Sequence, residues 1–343
     1  MPEKLKPGLT AEHVMHPLDR QGLQAVVDKA AGLMGRSVFD RLMREADEDF
    51  FLLNLADNTK LGPTQGGSIY RLVEDVAGTL GIPTPHVFLD TSPDFKARTM
   101  GGTHASLVLP SALVDALQDG PLRAVVGHEL GYILCGHSFY KLLAENFNRL
   151  TQLAGMIPWV GPVLSAGFQL VLFDWYRKAA LSADRVALLA TQDLDAVQQC
   201  LLWAAGGASR VGPELSVEGL ASQAIELRQT TDKKKAGGIV DRVGNILSEV
   251  VLQQAWSAHP WPAVRLQEIT EWAASDEYRR LLAGEYDTVL NEKRRARAAE
   301  AGGPPGDGLI GRASSLARGV GERIGSLFHR DPGRPPPVEP TDA

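Results

Sequence analysis

The sequence predicts an α+β chain that is mostly helical, with a small sheet beside one helix carrying a His-Glu pair. Three observations point there. Apolar residues recur at helical spacing through most of residues 18–82 and again over about 173–206. Two short apolar runs, Val87-Phe88-Leu89 and Ser106-Leu107-Val108-Leu109, are bounded by turn residues, as strands are. Residues 127–137 read Gly-His-Glu-Leu-Gly-Tyr-Ile-Leu-Cys-Gly-His, a metal-binding helix signature with one ligand replaced.

The elements follow in order. Leu23, Val26, Val27, Ala30 and Leu33 mark one helical stripe, and Leu42, Phe50, Phe51 and Leu53 mark the next. Leu61-Gly-Pro-Thr-Gln-Gly-Gly punctuates the chain, and a helix over about 69–80 ends at the breaker cluster Gly81-Ile-Pro-Thr-Pro. After the two strands, residues 111–118 return to helix. Pro121 suits the first position of a further helix, expected to carry His128 and to run to about residue 150. Residues 153–173 are the most apolar stretch, long enough to span a bilayer, but Pro158, Pro162 and Gln169 favour a buried hairpin or loop-helix. Lys233-Lys234-Lys235 with Gly237-Gly238 reads as an exposed loop.

The domain organisation expected is an N-terminal helical region over 1–60, a main domain over 61–300 and a Gly/Pro linker over 301–308. A basic amphipathic helix over 309–329 and a proline-rich, disordered tail over 330–343 complete it. Leu309, Ile310, Leu316, Val320, Ile324 and Phe328 are among the apolar residues of that helix. Its apolar side, residues 309–328, is expected to meet the body, a sister chain or an anionic membrane surface.

Composition sets milder bounds. A charged fraction of 22% and a hydrophobic fraction of 44% are those of an ordinary globular protein. A net charge of −6 speaks against a nucleic-acid partner, whose backbone would be tracked by a basic surface. Cys135 and Cys200 form no pairing framework, and Met-Pro-Glu-Lys-Leu-Lys-Pro lacks the apolar stretch of a signal peptide. A cytoplasmic location is expected, with a peripheral membrane contact as its variant.

The chemistry turns on residues 128–132. In His-Glu-x-x-His, two histidines one turn apart hold zinc, and the glutamate between them activates a metal-bound water. His128 and Glu129 are present here, but Tyr132 stands at the second histidine position. A phenol with an ordinary pKa of about 10 would have to lose its proton to bind a metal. His137 lies two and a half turns beyond His128, which on one continuous helix is the opposite face. His259, His86 and His104 have no partner in the sequence, and a packed or solvated role is the expectation for each.

A second segment, Asp174-Trp-Tyr-Arg-Lys-Ala-Ala-Leu-Ser-Ala-Asp-Arg, completes a resemblance to the HtpX-like zinc metallopeptidases, which include the CAAX prenyl proteases. Their first site reads Gly-His-Glu-Leu-Gly-His, and their second Arg-x-x-Glu-x-x-Ala-Asp-Arg. Arg177, Ala183, Asp184 and Arg185 match the second, while the ligand glutamate of the family falls on Ala180. Ala97-Arg-Thr-Met-Gly before Ser106-Leu-Val-Leu resembles the strand pair whose edge strand grips substrate, and Ser257-Ala-His259-Pro with Arg265 resembles a downstream element. The resemblance covers about residues 60–270 and implies a gluzincin of zincin-like fold.

It also assigns roles. Glu129 would be a vestigial general base and His128 a vestigial ligand, with Tyr132 and Ala180 at lost ligand positions. Asp184 would orient His128, and Ala97 and His259 would line the site. Zinc is the family's cofactor, and none is expected for this chain. The function expected is a catalytically impaired homologue that binds a peptide or protein. Two alternatives stay open: a ligand-substituted form of an active zinc metalloendopeptidase, and an enzyme with recruited ligands such as His128, Tyr132 and His259.

Overall fold

The computed structural model describes residues 2–34, 36–93, 95–147, 166–206, 211–235 and 261–301. His259, residues 153–165, the linker and the 309–328 segment lie outside the described residues. The chain divides into two units, Met1–Leu290 and Asn291–Ala343, and the first holds the sheet and the site.

The first 80 residues are mainly helical, as their apolar periodicity predicts: α1 (Ala11–Val14), α2 (Pro17–Met34), α3 (Arg36–Asp57) and α4 (Gly67–Leu80). One strand, β1 (Thr59–Leu61), interrupts them where only helix and a turn are expected from sequence. α4 ends at Gly81, whose φ of 70° lets the chain turn back on the helix; Ile82 N–H then donates to the Ala77 carbonyl. Three strands follow, β2 (His86–Asp90), β3 (Arg98–Met100) and β4 (Ser106–Pro110). The sheet order is β1-β2-β4-β3. β2 and β4 pair in parallel, with Val87 opposite Leu107 and Leu89 opposite Leu109, while β1 and β3 close the two edges in antiparallel fashion. The central strands are buried and aliphatic, and short β3 is left with one unpaired edge.

The remaining helices are α5 (Ser111–Ala116), α6 (Asp119–Leu134), α7 (Ser138–Glu145), α8 (Ala166–Thr191), α9 (Leu194–Gly206) and α10 (Val217–Lys235). Among the described residues α11 (Pro262–Ala273), α12 (Asp276–Ala283) and α13 (Tyr286–Ala301) follow. No described helix is long and apolar enough to cross a membrane. The molecule is thus mostly helical with a small mixed sheet, as the sequence predicts.

α6 and α8 form the centre of the packing. A Cβ on Gly127 would lie 2.9 Å from the Ala187 Cα, and one on Gly131 2.9 Å from the Ala183 Cα. The two backbones touch because both sides offer only small residues. One apolar cluster surrounds this crossing on the side of the sheet and α4, and a second, around Trp175, Tyr132 and Phe168, joins α2, α7 and α8.

Several expectations need correction. The helix carrying His128 stops at Leu134. Gly136 adopts a φ of 69°, its N–H donates to the Ile133 carbonyl, and His137 N–H donates to the Tyr132 carbonyl at 2.8 Å. This double closure of the last turn ends α6, and the chain restarts as α7. His137 is therefore not on the far face of α6 but in the turn that follows it. Lys233–Lys235 end α10 rather than forming a loop, because the helical register begun at Val217 carries through them. Leu53 is 62% exposed: the face of α3 turned inward runs through Asp47, Phe51 and Asn54, one step round the helix.

The close crossing gives a prediction of opposite signs. Gly131→Ala should cost about 1–3 kcal/mol, although alanine alone gains about 1 kcal/mol over glycine in a helix. Gly78→Ala in α4, whose new Cβ would meet nothing within 4 Å, should gain about 0.5–1 kcal/mol. Urea unfolding of the two variants checks both; a shift of the same sign in both would refute the backbone contact.

Candidate functional site

His128 sits on the face of α6 turned to α8, and Asp184 on α8 meets it. His128 Nδ1 and Asp184 Oδ1 are 2.8 Å apart, so Asp184 fixes the proton on Nδ1. Arg265 from α11 holds the same carboxylate with two donors, Nε to Oδ2 at 2.8 Å and Nη2 to Oδ1 at 2.6 Å. Burial alone would raise the Asp184 pKa, but the Arg265 guanidinium outweighs it and holds the carboxyl down at about 2. Burial and the same guanidinium lower His128, which is neutral in consequence. This trio joins α6, α8 and α11; the meeting of His128 with Asp184 is the expected one, whereas the place of Arg265 on the same carboxylate was not foreseen.

Glu129, the next residue, turns into a different set of partners. It is 5% exposed. Lys141 of α7 places its Nζ 3.4 Å from Glu129 Oε2, 3.2 Å from Glu145 Oε1 and 5.3 Å from the centre of the Tyr132 ring. Tyr176 of α8 donates its hydroxyl to Glu145 Oε1 at 2.7 Å. Burial raises Glu129 to about 7 in spite of Lys141, whereas the two carboxylates hold the buried lysine charged against its own desolvation. Burial would also raise Glu145, yet Lys141 and the Tyr176 hydroxyl bring it below the ordinary range.

Tyr132 stands between the two groups. It is 1% exposed, and its ring lies edge-to-face with His128 at 5.1 Å. Burial holds its phenol well above an ordinary tyrosine pKa. Ala180, fully buried on α8, lies one turn before Asp184. Ala97 is buried immediately before β3, and its carbonyl accepts from Lys141 Nζ at 3.5 Å. Among the described residues no three His, Cys, Asp or Glu side chains are grouped to hold a metal ion.

Beneath Tyr132 lies a polar cluster that sequence reasoning did not foresee. Asp19 of α2 accepts from Trp175 Nε1 at 2.9 Å and from the Ser182 hydroxyl, and His137 Nε2 approaches it at 3.5 Å. His137 is fully buried and packs edge-on against Trp175 at 5.4 Å. These contacts tie α2 and the α6–α7 turn to α8.

The other predicted residues have local roles. Arg177 faces the ring of Trp261, Ala183 makes the close contact with Gly131, and Arg185 pairs with Glu277 at 3.3 Å. His86 and His104 pack on the ring of Phe51, at 4.7 and 5.0 Å, away from the other named groups of the site. Burial pushes the Cys200 thiol up to about 12 and makes it a poor nucleophile. Beside Asp184 and Arg265 is an enclosed space of about 10 Å³, room for a single water, whereas an open cleft of about 470 Å³ is lined by Asp119, Arg123, Thr191 and Asp193 instead. Lys141, Glu145, Tyr176 and Asp19 are the site residues that sequence reasoning missed; the one signal was the Lys141–Glu145 spacing of four.

Comparison with known proteins places the sequence within a family. The sequence model described as Peptidase family M48 matches residues 63–273. The plastoglobule-localized metallopeptidase 48 of Arabidopsis thaliana chloroplasts is 29% identical over 286 residues, 82% of this chain and 78% of that protein. A protease HtpX homolog of Ralstonia pickettii is 28% identical over 87 residues, 25% of this chain and 30% of that one. Protease HtpX homolog 1 of Sulfurisphaera tokodaii is 38% identical over 84 residues, 23% of this chain and 26% of that one. The chain therefore spans most of the plant relative but less than a third of these HtpX proteins. No solved structure matches it.

The buried histidine yields a pH prediction. Burial lowers His137 from 6.5 to about 3, so below pH 6.5 the unfolded chain takes up a proton that the native one refuses. Its contribution to stability is full at neutral pH and falls as the pH drops from 6.5 towards 3. Asp19 is raised by burial from 3.8 to about 6 and runs the other way, its contribution falling as the pH rises through that window. His137→Gln isolates the first effect. Relative to the parent, the variant should lose roughly 2–4 kcal/mol less stability between pH 7 and pH 4. Urea midpoints at the two pH values measure it, and parallel profiles would show that His137 does not stay neutral.

Proposed function

The chain belongs to peptidase family M48, and we propose that within it this protein is a catalytically impaired homologue, a pseudoprotease that binds a peptide or protein segment without cutting it. Tyr132 carries the reading. A catalytic zinc takes three protein ligands and keeps one position open for water. At this centre the groups on offer are the imidazole of His128, a phenol held protonated by burial and the methyl of Ala180. That donor set does not fit the ion, and we derive no hydrolytic step. Glu129 and Asp184 would be what remains of a general base and an orienting group. The His128–Asp184 hydrogen bond supports this assignment of the second segment, in which Ala180 stands at the vacated glutamate position.

Binding needs no metal. β3 is an edge strand beside α6 and α7, and an extended peptide added there would gain main-chain hydrogen bonds in register with Arg98–Met100. The partner would be a protein or peptide. Residues 309–328 would supply a second contact, on the body, a sister chain or a membrane surface, and deletion of 302–343 should alter self-association, liposome binding or thermal stability.

The direct test is metal. Elemental analysis of untagged, dialysed protein should find well under one zinc per chain. A near-equimolar value would sink the proposal and point to recruited ligands, His259 among them. Tyr132→His with Ala180→Glu should restore calorimetric zinc binding, since it supplies three ligands around an orienting aspartate already in place; either change alone should bind weakly. A folded double variant that binds zinc no tighter than the parent would show that position 180 is not the vacated one.

A further inference from the structure

We propose that the ammonium of Lys141 does the electrostatic work of a metal ion in this centre, and that Glu129 is kept as its counter-ion rather than as a base. The inference rests on the metal-free reading above and adds a cation to it.

The geometry starts with the end of α6. Because the double closure at Gly136 stops the helix, the chain restarts as α7, and Lys141, one turn into it, comes back against Glu129 and Tyr132 in the last two turns of α6. Its side chain is 4% exposed, which is rare for a lysine, and its partners among the described residues are electron-rich. Glu129 Oε2 lies at 3.4 Å, Glu145 Oε1 at 3.2 Å and the Ala97 carbonyl at 3.5 Å, with the Tyr132 ring face at 5.3 Å. Two carboxylates and an aromatic face make a cradle for one monovalent cation. Two buried carboxylates without a cation would be costly, and the described residues offer no metal donor set to bring one. Tyr132 and Lys141 thus act together: the ring takes up space beside His128, and the ammonium lying over that ring supplies charge.

Lys141 should then be needed when no metal is present and dispensable when one is. The full chain is compared in four forms: parent, Lys141→Met, Tyr132→His/Ala180→Glu, and the triple variant, each with and without zinc chloride. In the parent background, Lys141→Met should lower Tm on the order of 10 °C. In the zinc-loaded Tyr132→His/Ala180→Glu background the same change should cost less than half as much. The triple variant should also bind zinc at least tenfold more tightly than the double, because no ammonium then opposes the ion. Equal Tm losses in both backgrounds, unchanged zinc affinity, or no zinc binding by the triple variant would overturn the inference. Should Lys141→Met fail to fold, Glu129→Gln/Lys141→Met/Glu145→Gln leaves no charge needing a partner; it should fold with a Tm within a few degrees of the parent, and its failure would equally count against us. Stoichiometric zinc in the parent would instead refute the metal-free reading itself, whatever Lys141 does.

Discussion

The contact on which the rest depends is the backbone-to-backbone crossing of α6 and α8. Gly127 and Gly131 on one helix meet Ala187 and Ala183 on the other with no room for a further carbon. Close approach is what lets His128, between the two glycines in sequence, reach Asp184, one residue after Ala183, with a 2.8 Å hydrogen bond. If the axes were separated by ordinary side chains, the imidazole and the carboxylate would face each other across a gap. Once the crossing is fixed, Arg265 has a carboxylate to clamp, and α11 has a place to dock.

Two charged groups divide the space around Tyr132, and the division follows from charge balance. On one side Asp184 and Arg265 cancel in direct contact, with neutral His128 beside them. On the other, Lys141 faces both Glu129 and Glu145, so the lysine satisfies one carboxylate fully and the other only in part. Glu145 also accepts from Tyr176 and stays ionised, and the remaining shortfall appears as the raised pKa of Glu129. A buried ion pair of this kind adds little net stability over a well-packed apolar core, but removing one member is costly. That asymmetry holds the charged residues of the centre to one another.

Much of this was legible in the sequence, and the limits have physical reasons. The strands β2 and β4, the end of α4 at Gly81 and the pairing of His128 with Asp184 were readable because each leaves a local mark: an apolar run, a breaker or a motif. The end of α6 also left one, Gly136, but the apolar pattern continues through Phe139, Leu142 and Leu143 and masked it. From that one missed turn follow the misplacement of His137 and the absence of Lys141 from the expected site. β1 is three residues long with one buried side chain, too little for any periodicity. Asp19 could not be read at all, because its partners Trp175 and Ser182 lie over 150 residues away and nothing local distinguishes it from other acidic residues of a first helical turn.

The same reasoning explains why Tyr132 is tolerated at a position where a histidine would be expected. A phenol carries an apolar ring, and this site supplies an environment for it. The ring packs against His128 on one side and beneath the ammonium of Lys141 on the other, while Phe168, Phe173 and Trp175 belong to the same apolar cluster. Below it, the Asp19–Ser182–Trp175 hydrogen bonds keep α2 and α8 together. A histidine here would be smaller and would leave part of that aromatic cluster unfilled. The present centre is therefore organised around an aromatic ring with a cation on its face.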